Sequence, residues 1–287
     1  MTATTAPPLS RAPTRDAVMA QAGEENFPVA LRILGATKRA QLLSLYGFAR
    51  LVDDAGDEAD GDRLSLLDAI EADLNRIFEA GSEPELALLR TLALTVRELG
   101  LPAGPFRRLI EAGRRDQLVE RYPTYDALLD YCGLSAAPVG ELVLHVFGSA
   151  TPARVLLSDS ICAGLQVTEH LQDVAEDRAK GRVYLPAEDL ERFGCTDGDL
   201  RAPAPTARLS ELIEFEVARA RSLLDAGAPL IGRLPARAAI AVAGFVAGGR
   251  AALGAIERAG YDVLSARPRT TRTAFAQAFF STAARHR

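Results

Sequence analysis

The sequence predicts an all-α protein folded as a single-domain helical bundle, and three observations carry that prediction. Alanine and leucine supply 51 and 40 of the 287 residues, and both are strong helix formers. Aromatic residues, which favour strands, make up only 6%. From about residue 20 onward apolar positions recur at helical spacing, and no Val/Ile/Thr-rich alternating run stands between turn signals.

The first residues, MTATTAPPLSRAPTRDA, lack the apolar stretch of a signal peptide. Residues 1–20 are expected to form a disordered tail, and 21–287 one all-helical domain. Short breaks then punctuate the helices at Gly81–Pro84, Leu101–Pro105, Tyr122–Thr124, Ser149–Pro152, Thr196–Pro205 and Gly232–Pro235. Thr124 and Thr151 are placed to cap the helices that follow. The longest non-helical candidate is 194–206, FGCTDGDLRAPAP; neither of its flanks reads as self-sufficient, so it is not taken as a domain linker. Roughly eight to ten helices are expected, since each break closes one helical stretch.

With 48% hydrophobic and 25% charged residues, a sizeable core is available and wholesale disorder is excluded. A net charge of -5 argues against non-specific nucleic-acid binding. Only Lys38 and Lys180 of the 33 cationic residues are lysines. Cys132, Cys162 and Cys195 form no CxxC pair, and His145, His170 and His286 are the only histidines. A disulfide framework and a zinc site are therefore not expected, a reducing cytoplasm is, and any metal would be a hard cation on oxygen ligands. No uninterrupted apolar run reaches the roughly 18 residues of a membrane span. The expectation is a soluble, cytoplasmic protein that at most touches a membrane surface.

Three constellations carry chemistry. In YGFARLVDDAGDE (46–58), Tyr46, Arg50, Asp53 and Asp57 fall on one helical stripe. Asp53 and Asp57 are one turn apart, about 6 Å along the axis, so both can flank one cation. The plain alternative is a solvated acidic face, although like charges at this spacing repel. In QVTEHLQDVAEDRAKGRVYLP (166–186), Gln166, Glu169 or His170, Asp173 and Asp177 form a second stripe, with Glu176 beside them. Lys180, Arg182 and Tyr184 follow where that helix ends. Facing each other across a bundle, two such helices would hold several Mg²⁺ ions with few protein ligands each and leave positions open for phosphates. Arg50 and Arg182 would complement phosphate oxygens. The alternative is a pair of unrelated surface faces. In YCGLSAAPVGELVLHVFG (131–148), Ala136, Val139 and Gly140 form a small-residue patch, and Pro138 is expected to kink the helix. Such a patch serves either close helix packing or room for a long apolar ligand; beside two acidic helices the second is the expectation.

Together these segments, with ENFPVA (25–30) and GAIERAGYDVLSARP (254–268), resemble the squalene/phytoene synthase family of isoprenoid synthases over about Glu24 to Pro268. The second acidic motif running into GRVYLP is the most specific part. Within the family the likeness runs to the hydroxysqualene synthases of bacterial hopanoid pathways, through Asn26-Phe27-Pro28, Gln172 before Asp173, and VAGGRAALGAIERAGYDVLSARP. Condensing members usually carry Arg at the position of Gln172 and Asn at that of Glu169.

The resemblance implies an isoprenoid-synthase bundle with a central cavity, Mg²⁺ as cofactor, no NADPH, and presqualene diphosphate or another prenyl diphosphate as substrate. It implies Asp53, Asp57, Asp173, Asp177 and Glu169 as metal ligands, with Asp54 and Glu176 supporting them. Arg50, Arg182 and Tyr184 would contact diphosphate; Phe27, Tyr46, Tyr131, Ala136, Val139, Gly140, Leu165 and Gln166 would line the substrate cavity. Asp116 matches a family position without a derivable role. His170 is read as structural, Cys132 and Cys162 as core residues, and the arginine-rich 266–273 as solvated, contact with anionic lipid being the alternative. A head-to-head condensing synthase and a non-catalytic scaffold are the competing functions; retention of both carboxylate sets weighs against the scaffold.

Overall fold

The computed structural model describes residues 8–20 and 34–285. Among these the regular elements are helices, with one isolated bridge between Arg121 and Val183 and no strand. The helices group into two compact units that meet in sequence at Leu118 and Val119, with His145–Gly148 returning to the first. The 194–206 loop is not that boundary.

The first unit contains α1 (Arg15–Ala20), α2 (Ala36–Asp57), α3 (Arg63–Asn75), α4 (Ala87–Leu99) and α5 (Ala103–Asp116). α2 is its axis and packs on α1, α3, α4 and α5. Its core holds fully buried Phe48, Leu51, Leu66, Leu67, Ile70, Leu89, Leu92 and Ile110. Phe48 meets Phe106 edge-on, with ring centroids 5.3 Å apart. Asp62 starts α3 by accepting the Ser65 N–H, and Gly100 ends α4 in the left-handed conformation that glycine adopts without strain. Where α2 crosses α5, Gly56 and Gly113 allow close approach: a Cβ on Gly113 would stand 3.3 Å from Val52. Gln117 Nε2 locks the crossing by donating to the Gly56 and Gly113 carbonyls at 2.9 and 3.2 Å.

The second unit contains α6 (Tyr125–Ser135), α7 (Ala137–Val146) as far as Leu144, α8 (Pro152–Gln172), α9 (Val174–Ala179), α10 (Ala187–Arg192) and α11 (Asp197–Leu200). It continues with α12 (Ala207–Gly227), α13 (Ala236–Arg258) and α14 (Arg272–Arg285). Thr124 and Thr151 cap α6 and α8 as expected, accepting from Ala127 and Arg154 N–H. α8 packs along α12 and also on α6 and α13. Gly164 makes that closeness possible, since a Cβ there would already touch Leu224 at 3.0 Å. A buried polar knot joins α6, α10 and α12. Arg219 bridges Asp189 at 2.6 Å and Glu216 at 3.3 Å while lying over the Tyr125 ring at 4.2 Å. Glu216 and Asp189 are 1% and 2% exposed. Burial pushes Glu216 upward to about 8, the nearby Asp189 adds to this, and Arg219 opposes it.

Four expectations change. The described part of the expected disordered tail is ordered: Val18 is fully buried, Met19 lies against Gly47 of α2, and Arg11 donates to the Asp60 and Asp62 carbonyls. The 194–206 segment contains α11 and is stapled by buried Asp199, which accepts from Thr196, Thr206 and Arg208. Those donors hold its carboxyl well below the usual range. Among the described residues fourteen α-helices replace eight to ten; four of them, α1, α9, α10 and α11, have six residues or fewer. One turn or two is too short for an apolar period to register. By length and composition, the stretches 125–146 and 236–258 would also suffice to cross a membrane. The first is broken at Ala136, and 72% of the second's apolar window is buried inside the protein.

Candidate active site

The first acidic motif closes α2. Its periodicity places Tyr46, Arg50, Asp53 and Asp57 along one side of the helix as expected, and Asp57 is the last helical residue. Arg50 holds the motif together: Nη1 lies 3.0 Å from Asp53 Oδ2, Nε 2.7 Å from Asp54 Oδ1, and Nη2 3.7 Å from Glu58 Oε1. Asp54 is 3% exposed, so its carboxylate serves as the buried anchor of that guanidinium. Asp53 instead keeps 56% of its side chain accessible. Its pKa is raised by burial, opposed by Arg50, and raised further by Asp57, Asp54 and Asp116. The close α2–α5 crossing thus gives Asp116 the role that its sequence position did not: it adds negative potential at Asp53. A reachable carboxylate held against like charges is a place for a cation.

The second motif is not one uninterrupted helix. α8 ends at Gln172, and Asp173 leaves helical geometry at φ -107°, ψ 12° before α9 begins. Two backbone bonds, Asp173 N–H to Glu169 and Asp177 N–H to Asp173, carry the chain through the bend. The expected stripe therefore survives in order but is kinked at the aspartate itself. Glu169, Asp173 and Asp177 are 46%, 15% and 18% exposed at the side chain. Burial pushes Asp173 up to about 6, with Arg267 opposing and Asp177 and Glu176 adding.

Arg267 was missed by sequence reasoning, which left 266–273 solvated. Its Nε and Nη2 grip Asp173 Oδ1 and Oδ2 at 2.5 and 2.8 Å, and it reaches Glu169 at 4.0 Å. The neighbouring residue is fixed as well: buried Gln172 donates to the Pro268 carbonyl at 2.6 Å. No local pattern links positions 94 and 96 residues apart, so only the fold reveals this pair.

Arg182 and Tyr184 follow α9 on a segment held beside residues 120–123, where Val183 N–H donates to the Glu120 carbonyl and Ala187 N–H to that of Tyr122. Arg182 Nη1 donates to the Tyr184 hydroxyl at 3.3 Å. The Tyr184 ring stacks on His170 at 3.7 Å and lies 5.9 and 5.7 Å from Tyr122 and Tyr131. Tyr131 is 4% exposed within this stack. His170 Nδ1 is 3.8 Å from Asp177, and its Nε2 is 3.3 Å from Gln166 Nε2. The histidine therefore positions Asp177 and Tyr184, close to the structural role expected; the part of Tyr122 was not foreseen.

The small-residue patch divides. Ala136 sits in the break between α6 and α7, so the interruption near Pro138 is present. Ala136 and Val139 are half-buried. Gly140 does not face open space: a Cβ there would overlap Ser158 Oγ and Cys162 Sγ on α8. At that position the close-packing alternative holds, not the cavity wall. Leu165 is half-buried and its Cδ2 would stand 2.8 Å from a Cβ on Gly249 of α13. Gln166 and Tyr46 are half-buried, while Phe27 falls outside the described residues.

Among the described residues no group of three or more His, Cys, Asp or Glu side chains is preassembled as a metal cage. The donor set nonetheless suits a hard cation that takes one or two carboxylates and completes its shell with water or phosphate, which is how Mg²⁺ binds. Asp53 and Asp57 in the first unit are one such donor set, and Glu169, Asp173 and Asp177 in the second are another.

Residues 20–274 match the squalene/phytoene synthase family. The chain is 37% identical over 205 residues to a hydroxysqualene synthase of Zymomonas mobilis, covering 70% of this chain and 68% of that one. It is 37% identical over 215 residues to the hydroxysqualene synthase of Rhodopseudomonas palustris, covering 74% and 72%. A crystal structure of the squalene synthase HpnC from Alicyclobacillus acidocaldarius is 40% identical with a TM-score of 0.75, covering 88% of this chain and 98% of that one. The all-α fold is thus the isoprenoid-synthase helical fold. With the family matched from residue 20 to 274 and both acidic motifs in place, this chain belongs to the squalene/phytoene synthase family.

Proposed function

We propose that the protein is a hydroxysqualene synthase that converts presqualene diphosphate and water to hydroxysqualene and diphosphate, with Mg²⁺ and without NADPH. One comparison carries the choice within the family. Against two relatives from the same organism, Rhodopseudomonas palustris, the chain is 37% identical to the hydroxysqualene synthase but 30% identical to the presqualene diphosphate synthase, each over 215 residues.

Bound Mg²⁺ would supply positive charge to the diphosphate leaving group as its C–O bond breaks. The chain's own residues do the rest. Asp53, Asp57, Glu169, Asp173 and Asp177 offer oxygen ligands, and Asp54 holds the Arg50 Nε at 2.7 Å while Nη1 and Nη2 lie 3.0 and 3.7 Å from Asp53 and Glu58, partners they would exchange for phosphate oxygens. Arg182, bonded to the Tyr184 hydroxyl, is a second donor. The Tyr122–Tyr131–Tyr184 stack presents aromatic faces, which attract cations at about 2 kcal/mol or more in a desolvated site. Gln172 brings no charge beside Asp173 and is occupied by the Pro268 carbonyl. The resulting cation would be quenched by water rather than by hydride.

Purified protein incubated with Mg²⁺, without NADPH, and with presqualene diphosphate or farnesyl diphosphate in separate reactions tests the proposal. Hydroxysqualene from presqualene diphosphate alone is expected. Product formation from farnesyl diphosphate would replace this reading with the condensing one, which the 33% identity to a phytoene synthase of Mycobacterium tuberculosis keeps in view.

A further inference from the structure

The end of α2 is electrostatically unfavourable. Asp53, Asp54 and Asp57 lie in its final five residues and Glu58 caps it, so four carboxylates gather at the negative end of the helix dipole. α4, α5, α13 and α14 each carry arginine in the last turn, whereas α2 carries no basic residue there. Arg50 reaches Asp53, Asp54 and Glu58, but its one positive charge does not balance theirs.

The turn is also held from α5. Gln117 Nε2 donates to the Gly56 carbonyl at 2.9 Å and to the Gly113 carbonyl at 3.2 Å. Carbonyl oxygens only accept, so the amide turns its NH2 group toward them and uses both N–H bonds. The Gly56 carbonyl is among the last four of α2, which have no partner within the helix. The backbone N–H of Gln117 goes to the Arg114 carbonyl at 3.1 Å, while its side chain takes up that of Gly113. Gly56 stands one residue before Asp57 and three after Asp53. Asp116, the residue before Gln117, adds negative potential at Asp53.

We propose that Gln117 is the positioning residue of the first acidic motif: its neutral amide ties the end of α2 to α5 and keeps Asp53 and Asp57 in place for a shared cation, without lending the motif a positive charge. This role rests on the Mg²⁺ reading above. A lysine at 117 could reach the same carbonyl, but it would cancel part of the field that draws the metal. An apolar residue would leave the field and release the turn, which repulsion at i, i+4 spacing then loosens.

Thermal melting of the full chain at fixed pyrophosphate, over a Mg²⁺ titration, tests both properties. Gln117→Met is expected to melt below wild type without metal and to need about tenfold more Mg²⁺ for half of the stabilisation, as when a group that orients metal ligands is lost. Gln117→Lys is expected to melt at or above wild type without metal, because its charge relieves the repulsion, and yet to need more Mg²⁺. If Gln117 only packs the crossing, Gln117→Met melts lower with an unchanged Mg²⁺ requirement, and that result would overturn the proposal. So would an unchanged requirement in Gln117→Lys. Should Gln117→Met fail to fold, Gln117→Asn decides: its amide is one carbon too short for both carbonyls, and a wild-type Mg²⁺ requirement there would again overturn the proposal. A wild-type protein that gains no stability from Mg²⁺ with pyrophosphate would overturn the Mg²⁺ reading itself, and this role with it.

Discussion

Gly140→Ala tests whether the patch on α7 is packing or cavity. A methyl group at this position would overlap Ser158 Oγ and Cys162 Sγ, the two side chains of α8 beneath it. Both atoms end short side chains that can rotate away, but Ser158 is 5% exposed and has little space to enter. Overpacking of this kind typically costs about 1–3 kcal/mol. Replacing glycine by alanine within a helix returns about 0.5–1 kcal/mol. At mid-range values the net loss is about 1.2 kcal/mol, which lowers the melting temperature by roughly 2–5 °C in a chain of this size. Thermal melting of wild type, Gly140→Ala and the triple variant with Ser158→Ala and Cys162→Ala gives the answer. Ser158 and Cys162 share a side-chain hydrogen bond, so removing both leaves neither side chain without its partner, and the triple variant should recover most of the loss. A single variant that melts at or above the wild-type temperature while losing turnover would refute this reasoning and return Gly140 to the cavity wall.

Three further outcomes are expected. Asp53→Asn should cut turnover roughly a hundredfold or more while the fold stays as stable or gains, because like-charge repulsion is relieved and Arg50 keeps Asp54; Asp173→Asn should cut turnover alike but lower the melting temperature, because Arg267 loses its two-point partner, and steady-state kinetics and melting together check this. Mg²⁺ and pyrophosphate added together should raise the melting temperature by more than the sum of their separate shifts, since each supplies ligands for the other. Glu216 holds its proton in the folded protein up to about pH 8, whereas the unfolded chain releases it near its ordinary 4.5. The stability it contributes is therefore complete below 4.5 and is lost as pH rises through about 8. Denaturant titrations should show wild type losing stability relative to Glu216→Gln over that window, and parallel curves would count against the buried acid.

The helical class was legible because Ala and Leu dominate and apolar spacing persists over long stretches; α2, α8, α12 and α13 each exceed twenty residues. The caps Thr124 and Thr151 were legible because a capping side chain acts three residues away. Short helices such as α9 and α11 were not, since their ends are set by Asp173 and Asp199 and by partners elsewhere in the chain. The carboxylates of the two motifs could be found from spacing alone. Arg267 could not, because its tie to Asp173 spans 94 residues. Gly140 shows a different limit: sequence marks a small residue but does not say whether the space beside it is filled.

If Asp173 takes up a cation as proposed, its ion pair with Arg267 makes that uptake an exchange. Any incoming ion competes with a guanidinium that the folded chain keeps permanently within reach, so a lone cation must both bind and evict. A cation that arrives already carrying diphosphate changes the balance, since the displaced arginine finds a new anionic partner in the same encounter. On the proposed reading, a preference for the loaded substrate over free metal would come from a tether: Gln172 holds the Pro268 carbonyl, next to the arginine whose side chain would change partners.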